Sequence, residues 1–255
     1  MPSPSLPAGW AHIAHFEVDS TNAEAQRLIA TDEMGPVWIT AERQSAGRGR
    51  SGRAWSTDAG NLAASLLFAP QCPPQCLPEL ALVAGIAVHD TIVALLSPEQ
   101  AQAVQLKWPN DVMIGRSKLS GILIESTMRG DRALVVMGMG INVISAPEIS
   151  GRAVAALADM PGYVADFERL HTTLATHLAS ELDIWSNGRG FADTRQRWLT
   201  RATPAGTAIS VNTGAGPVHG QFAGLDPAGA LLLDGSDGKR RTFTYGDVAL
   251  VLSTC

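Results

Sequence analysis

The sequence predicts an α+β protein: a mixed β-sheet with flanking helices over residues 1–203, then a small β-barrel over residues 204–255. Three observations lead there. Up to about residue 203, apolar or alternating runs of strand length are interleaved with stretches of helical periodicity. The character changes at Thr203-Pro204-Ala205-Gly206, beyond which only short runs split by Gly, Pro and Asp remain. The 255 residues are 45% apolar and 17% charged, a globular composition whose length suits one large domain or a large and a small one.

The elements follow in order. After a Pro-rich lead, Ser20-Thr21-Asn22-Ala23-Glu24 reads as a helix start: Thr21 and Glu24 fit a capping box, with Ala25, Leu28 and Ile29 on one face. Residues 36–41 (Pro-Val-Trp-Ile-Thr-Ala) read as a buried strand, 43–60 as a Gly/Arg-rich connection and 62–68 as a second strand. Residues 77–96 form a core helix, apolar nearly all round. Its most apolar stretch, 80–96, is interrupted by His89-Asp90-Thr91 and is short for a bilayer. Residues 104–108, 112–114, 119–125 and 133–143 are expected as strands, with Gly115-Arg116 as a tight turn. Val164, Phe167, Leu170, Leu174, Leu178, Leu182 and Trp185 recur at steps of three and four, which places a helix over 163–185. A second helix covers 191–199. The tail strands fall at 207–212, 218–225, 230–233, 241–245 and 248–251.

Several function classes drop out. Lys and Arg number 19 against 24 Asp and Glu, a formal charge of −5, which argues against a surface built for nucleic acid. Three cysteines make no disulfide framework, and Cys72-Pro73-Pro74-Gln75-Cys76 lacks zinc-like spacing and a nearby histidine. No H-x-x-x-H pair and no serine nucleophile elbow occurs; His89, His171 and His177 fall within helices as packing or surface residues. The start has neither a basic flank nor an apolar core, so a cytoplasmic protein without a membrane anchor is expected.

Two segments carry chemistry. In Gly47-Arg48-Gly49-Arg50-Ser51-Gly52-Arg53-Ala54-Trp55, glycines allow close approach of backbone amides to an anion, and guanidiniums add paired donors. The glycines spell G-x-G-x-x-G, but no helix opens at them, so a dinucleotide fold is set aside; a Walker loop fails for want of Gly-Lys-Ser/Thr. Trp55 suits a purine stacking surface. Lysine occurs only at Lys107, Lys118 and Lys239, two of them in one short segment. Lys118 opens a strand beyond a short turn and is expected across from Lys107 or Asn110 on the paired strand. A compact ammonium tracks an oxygen of changing charge better than a guanidinium does, and Gly121 marks a close approach. Gly138-Met139-Gly140-Ile141-Asn142-Val143 ends a strand as a ligand contact or a bulge.

Together these segments resemble a biotin protein ligase. Four blocks match in order: Ser20-Thr21-Asn22; Gln44 with residues 47–55; Lys107-Trp108-Pro109-Asn110-Asp111 with residues 118–123; and residues 138–143. Residues 220–233 and Tyr245-Gly246-Asp247-Val248 are similar to the family's C-terminal barrel. The resemblance, which runs from about Phe16 onward, implies a class II synthetase-like catalytic domain and an SH3-like barrel. It implies activation of biotin by ATP to biotinyl-5′-AMP, with transfer to a lysine of a biotin carboxyl carrier domain. The attacking groups belong to the substrates, so no enzymic nucleophile is needed.

By the same resemblance, Ser20, Thr21, Asn22, Gln44, Gly47, Arg48, Gly49, Arg50, Lys118 and Gly121 would bind biotin. Arg50, Arg53, Trp55, Asn110, Lys118 and Asn142 would bind the nucleotide. Lys118, Arg48, Arg50 and Asp111 would be catalytic, Asp111 orienting the incoming amine or accepting its proton. Mg²⁺ would accompany ATP, with ligands the sequence leaves unnamed. The mixed anhydride needs shelter from water, so residues 48–55 are expected to be a mobile lid that ligand orders. The Ser-Thr-Asn block begins at Ser20, leaving no room for the DNA-binding domain of the family's repressors, so no DNA binding is expected. A homodimer, or carrier docking, through a free strand edge stays open. A lipoate or octanoate ligase or transferase of related fold is the nearest alternative. A protein that holds biotin without turnover is the alternative from another class.

Overall fold

Residues 5–57 and 59–251 are described by the computed structural model of the protein. Strand β1 (Ala11–Val18) lies at the edge of a seven-stranded sheet and pairs in parallel with β2 (Val37–Gln44); helix α1 (Thr21–Ala30) crosses between them. The remaining strands are β3 (Leu62–Phe68), β4 (Val104–Lys107), β5 (Asp111–Ile114), β6 (Ser117–Arg129) and β7 (Arg132–Ile141). The order β1-β2-β3-β7-β6-β5-β4, with antiparallel pairing beyond β2, makes the sheet mixed, as expected.

Side-chain alternation along β7 explains how this sheet makes a site. Val135, Met137, Met139 and Ile141 point to one face, into the main core with α2 (Leu80–Leu95), α4 (Phe167–Trp185) and α5 (Phe191–Leu199); α3 (Pro98–Ala101) is a single turn after α2. Leu134 and Val136 point to the other face, against Ala25 and Ile29 of α1. The next two residues on that face are Gly138 and Gly140. There, at the start of α1, polar Asn22 instead of an apolar residue faces the sheet, and apolar side chains on β7 give way to glycine backbone. Each large aliphatic side chain buried against the helices contributes about 1.5–3 kcal/mol, so the helical face holds the sheet rigid beneath that opening.

The tail forms a separate antiparallel sheet of β8 (Ala208–Thr213), β9 (Gly216–Leu225), β10 (Leu231–Asp234), β11 (Arg240–Phe243) and β12 (Asp247–Leu250). Its order, β11-β10-β9-β8-β12, fits the expected SH3-like barrel and leaves β12 at an edge.

The structure corrects the sequence reading in five places. β1 was not expected; its His and Glu residues on an edge hide a weak alternation. The capping box of Thr21 and Glu24 does not form, for Ser20 is the N-cap and has no side-chain cap bond. Instead the Thr21 N–H and hydroxyl face Gln44, and Glu24 pairs with Arg27. The expected 163–185 helix begins at Phe167, capped by Asp166 on the Arg169 amide at 3.0 Å, leaving Val164 outside and 83% exposed. The 77–96 helix starts at Leu80, after a 3-10 stretch, Pro74–Glu79, that contains Pro78. Pro74–Leu95 is nonetheless long and apolar enough to cross a membrane; here its greater part, α2, is packed as the core helix. Finally, a register shift between Val112 and Met113 puts Lys118 opposite Met113, not opposite Lys107 or Asn110.

Candidate active site

A cavity of about 1100 Å³ opens over the glycine-lined part of the sheet. Gly121 and Gly140 are cross-strand partners on β6 and β7. A Cβ on Gly140 would fall 2.4 Å from Trp55 Nε1, and one on Gly121 would fall 3.0 Å from both Trp55 Cζ3 and Lys118 Nζ. The paired glycines are therefore a slot into which the indole of the Arg/Gly loop docks. Lys118 Nζ lies 5.3 Å from the Trp55 ring centroid, a cation–π approach.

Lys107 and Asp111 flank the tight Trp108-Pro109-Asn110 connection and are register partners on β4 and β5. Asp111 Oδ2 accepts from Lys107 Nζ at 2.8 Å, and Asp111 Oδ1 from Lys118 Nζ at 2.5 Å. Lys118 thus reaches the same carboxylate as Lys107 despite its different register. Burial alone would raise the Asp111 carboxyl, but the two ammoniums outweigh it and hold it below the ordinary carboxylate value. Lys107 also donates to the Val248 carbonyl at 2.8 Å, tying the cluster to the barrel. The Asn110 side chain donates to Ile122 O at 2.7 Å, which turns its own oxygen toward Arg50 Nη1 at 3.0 Å.

At the opposite end, Ser20, Thr21 and Asn22 begin α1 and are buried. Gln44 Oε1 accepts the Thr21 N–H at 2.8 Å while its Nε2 donates to Thr57 at 2.9 Å, which fixes the orientation of the amide. These groups make a small polar wall of donors and acceptors.

The Arg/Gly loop folds back on itself above this floor. Gly49 N–H donates to Arg53 O at 2.7 Å and Trp55 N–H to Gly47 O at 2.9 Å, closing a hairpin with a single 3-10 turn at Arg50–Gly52. No α-helix follows the glycines, as the rejected dinucleotide reading required. Arg48 has no hydrogen-bonded side-chain partner among the described residues and lines the cavity, as does Arg50. Arg53 pairs with Asp247 of β12 at 2.7 Å. Gly47 is the exception among the expected residues, since it does not line the cavity. A Cβ there would lie 2.2 Å from Trp55 O, so it is glycine to let the hairpin strands cross.

The cavity therefore combines a flat backbone floor, a directional polar wall, an anchored ammonium and a guanidinium flap. Comparison with known proteins gives this combination a context. Residues 16–142 match the Biotin/lipoate A/B protein ligase family and residues 206–251 the Biotin protein ligase C terminal domain. Over 231 residues the chain is 37% identical to the biotin–(acetyl-CoA-carboxylase) ligase of Paracoccus denitrificans, spanning 87% of this chain and 93% of that one. The chain belongs to the biotin protein ligase family. The Mycobacterium tuberculosis ligase of the same description is 33% identical, over 94% of this chain and 90% of that one. The biotin protein ligase from Aquifex aeolicus in complex with biotin and ATP superposes with a TM-score of 0.78 at 27% identity, covering 95% of this chain and 99% of that one.

For a biotin protein ligase, the structure gathers Ser20, Thr21, Asn22, Gln44, Arg48, Gly49, Arg50, Arg53, Trp55, Asn110, Asp111, Lys118, Gly121 and Asn142 around one cavity. Asn142 is 2% exposed; its Nδ2 donates to Ala155 O at 3.1 Å, and its buried Oδ1 has no partner among the described residues. Sequence reasoning missed Arg116, Arg152, Ser210, Asn212 and Asp247 as lining residues. Asp247 stood in the tail block but gave no hint of its partner, because Arg53 lies 194 positions away. Arg116, in the tight turn with Gly115, also donates to Leu250 O at 3.2 Å.

Proposed function

We propose that this chain carries out its family's reaction in this cavity, with the Lys118–Asp111 cluster at its centre. It is an ATP-dependent biotin protein ligase. A carboxylate oxygen of biotin attacks the α-phosphorus of ATP, the bond to pyrophosphate breaks, and biotinyl-5′-AMP forms. An acceptor lysine amine then attacks the acyl carbon and AMP leaves. The acceptor we propose is a biotin carboxyl carrier domain, a reading supported by the acetyl-CoA-carboxylase ligases to which the chain is similar.

The observation that carries the assignment of roles is the placement of one anchored ammonium between flap and floor. Lys118 would bridge the biotin carboxylate and the α-phosphate, where negative charge concentrates during attack. A preorganised cation there stabilises the transition state without reorganising. Asp111 holds that ammonium; with its carboxyl below the ordinary value it is a weak base, so its role is orientation rather than proton removal. Thr21, Asn22 and Gln44 would read the biotin head. Arg48 and Arg50 would close over the adenylate with Gly49, while Arg53, Trp55, Asn110 and Asn142 would contact the nucleotide. The described residues hold no group of three or more His, Cys, Asp or Glu side chains suited to a metal. A Mg²⁺ ion would enter on the triphosphate oxygens, whose charge it would offset. We place the division of labour near residue 203: residues 1–203 do the chemistry, and residues 204–255 close the cavity wall through β12. The barrel also favours biotin over lipoate as substrate, since it matches a domain described for biotin protein ligases.

The test is intact-mass analysis of a biotin carrier domain incubated with the protein, biotin and MgATP. One added biotin is expected, with the rate falling about 10²–10³-fold for Lys118→Ala. An unmodified carrier domain would refute the proposal. A lipoyl adduct formed in preference would reassign the substrate.

A further inference from the structure

The polar wall at the biotin end is built of hydroxyl and amide groups, each able to present either a donor or an acceptor. One residue behind the wall decides which. Glu125, on β6, does not line the cavity, yet its Oε2 accepts from Asn22 Nδ2 at 2.7 Å. A carboxylate only accepts, so this bond, with a longer one from the same nitrogen to Leu123 O at 3.4 Å, turns the amide nitrogen toward Glu125 and the amide oxygen away from it; a flipped amide would set two acceptors face to face. Asn22 Oδ1 lies 2.7 Å from Ser65 Oγ. The amide oxygen cannot donate, so the single hydroxyl proton of Ser65 is committed to it. Ser65 Oγ is also 2.7 Å from Thr21 Oγ1. With its own proton spent, Ser65 accepts there and Thr21 donates. Gln44 Oε1, which receives the Thr21 backbone N–H at 2.8 Å, lies within reach of the same hydroxyl at 3.2 Å, a longer contact than the 2.7 Å to Ser65, and it too could only accept the Thr21 proton. Thr21 therefore keeps only lone pairs for the cavity. Thr21, Asn22 and Ser65 are at most 3% exposed, so water offers no substitute partners, and a Cβ on Gly138 would fall 2.2 Å from Asn22 Oδ1.

We infer that Glu125 is a positioning residue for substrate recognition: it sets the direction of the relay from Thr21 through Ser65 to Asn22, so that the cavity-facing hydroxyl accepts from a ureido N–H. This deepens the biotin reading and rests on it. Losing the carboxylate leaves only the long bond to Leu123 O to hold the amide, so it can flip, which leaves a buried donor or acceptor unmatched when the ligand's N–H arrives.

Biotin affinity measured by calorimetry, beside ATP KM from biotin-dependent ATP–pyrophosphate exchange, tests it. Glu125→Ala is expected to raise the biotin dissociation constant about tenfold while ATP KM at saturating biotin stays within about twofold. Glu125→Gln should return biotin affinity to within about threefold of the parent, because its Oε1 can accept the same N–H. Asn22→Asp alone sets two carboxylates together and should weaken biotin. Adding Glu125→Gln to it should recover binding, since the new amide donates to the new carboxylate, whose other oxygen still accepts from Ser65. The inference is overturned by unchanged biotin affinity in Glu125→Ala, by parallel loss of biotin and ATP affinity, or by no recovery in the double variant. If the unaltered protein fails to bind biotin, the biotin reading itself is lost.

Discussion

Asp111→Asn removes a charge that two ammoniums share while keeping the side chain's shape. Asp111 is held at 2.8 Å by Lys107 and at 2.5 Å by Lys118, and its side chain is 13% exposed. Removing one partner of a buried ion pair costs about 3–5 kcal/mol. Here the lower part of that range applies, about 3 kcal/mol, because Lys107 keeps the Val248 carbonyl and Lys118 is a quarter exposed to water. Unmoored, Lys118 no longer stands where charge develops, and adenylation should fall about 10²-fold. Transfer from preformed biotinyl-AMP should change far less, since the ammonium is needed where phosphorus is attacked.

Denaturant unfolding from pH 7 to pH 3, with exchange and transfer assayed separately, measures all three effects. The sign follows from the depressed carboxyl of the folded state. Its stabilisation is fully present above the unfolded value near 4 and is lost as pH falls through the folded value. The gap between parent and variant should therefore be full at pH 7 and shrink below about pH 4. A gap constant across that range, or a variant as stable and active as the parent, refutes the reasoning.

Gly140→Ala places a methyl group 2.4 Å from the Trp55 indole nitrogen. It should hold the flap off the floor, lower adenylation about tenfold and speed tryptic cleavage after Arg48, Arg50 or Arg53; unchanged activity and cleavage would dismiss the slot. In the parent, biotin with MgATP should slow the same cleavage, and equal rates with and without ligand would remove the lid. Burial, with a smaller effect from His12, lowers the His171 imidazole to about 4. The unfolded chain takes up a proton that the folded one refuses, so stability declines as pH falls from about 6.5, by about 3 kcal/mol near pH 4. In His171→Leu this part of the acid sensitivity should vanish, as judged by urea midpoints at pH 7 and pH 4.5. An identical pH slope in the variant would count against it.

The strands at 62–68 and the helix at 191–199 were legible in the sequence to the residue, because a buried run or a clean period is a local property. Edge strand β1 was not, since only one of its flanks is paired and its polar residues dilute the alternation. The Val164 error has a related cause: an apolar residue can keep helical spacing by chance, while the Asp166 cap decides where hydrogen bonding begins. For the site, residue types sufficed to find the flap arginines, the lysine segment and the Ser-Thr-Asn start. The expected ligand approach at Gly121 became an approach by Trp55 and Lys118.

By itself the sequence determined which segments become strands and helices and which carry charge, for both depend on neighbours a few positions apart. The tertiary structure alone decided the partnerships: Lys118 with Asp111 through a shifted register, Arg53 with an aspartate of the barrel, and Glu125 with Asn22 behind the wall. Electrostatic attraction and hydrogen bonding act over a few ångströms of space regardless of distance along the chain. No local periodicity records which distant residue the fold delivers into that range.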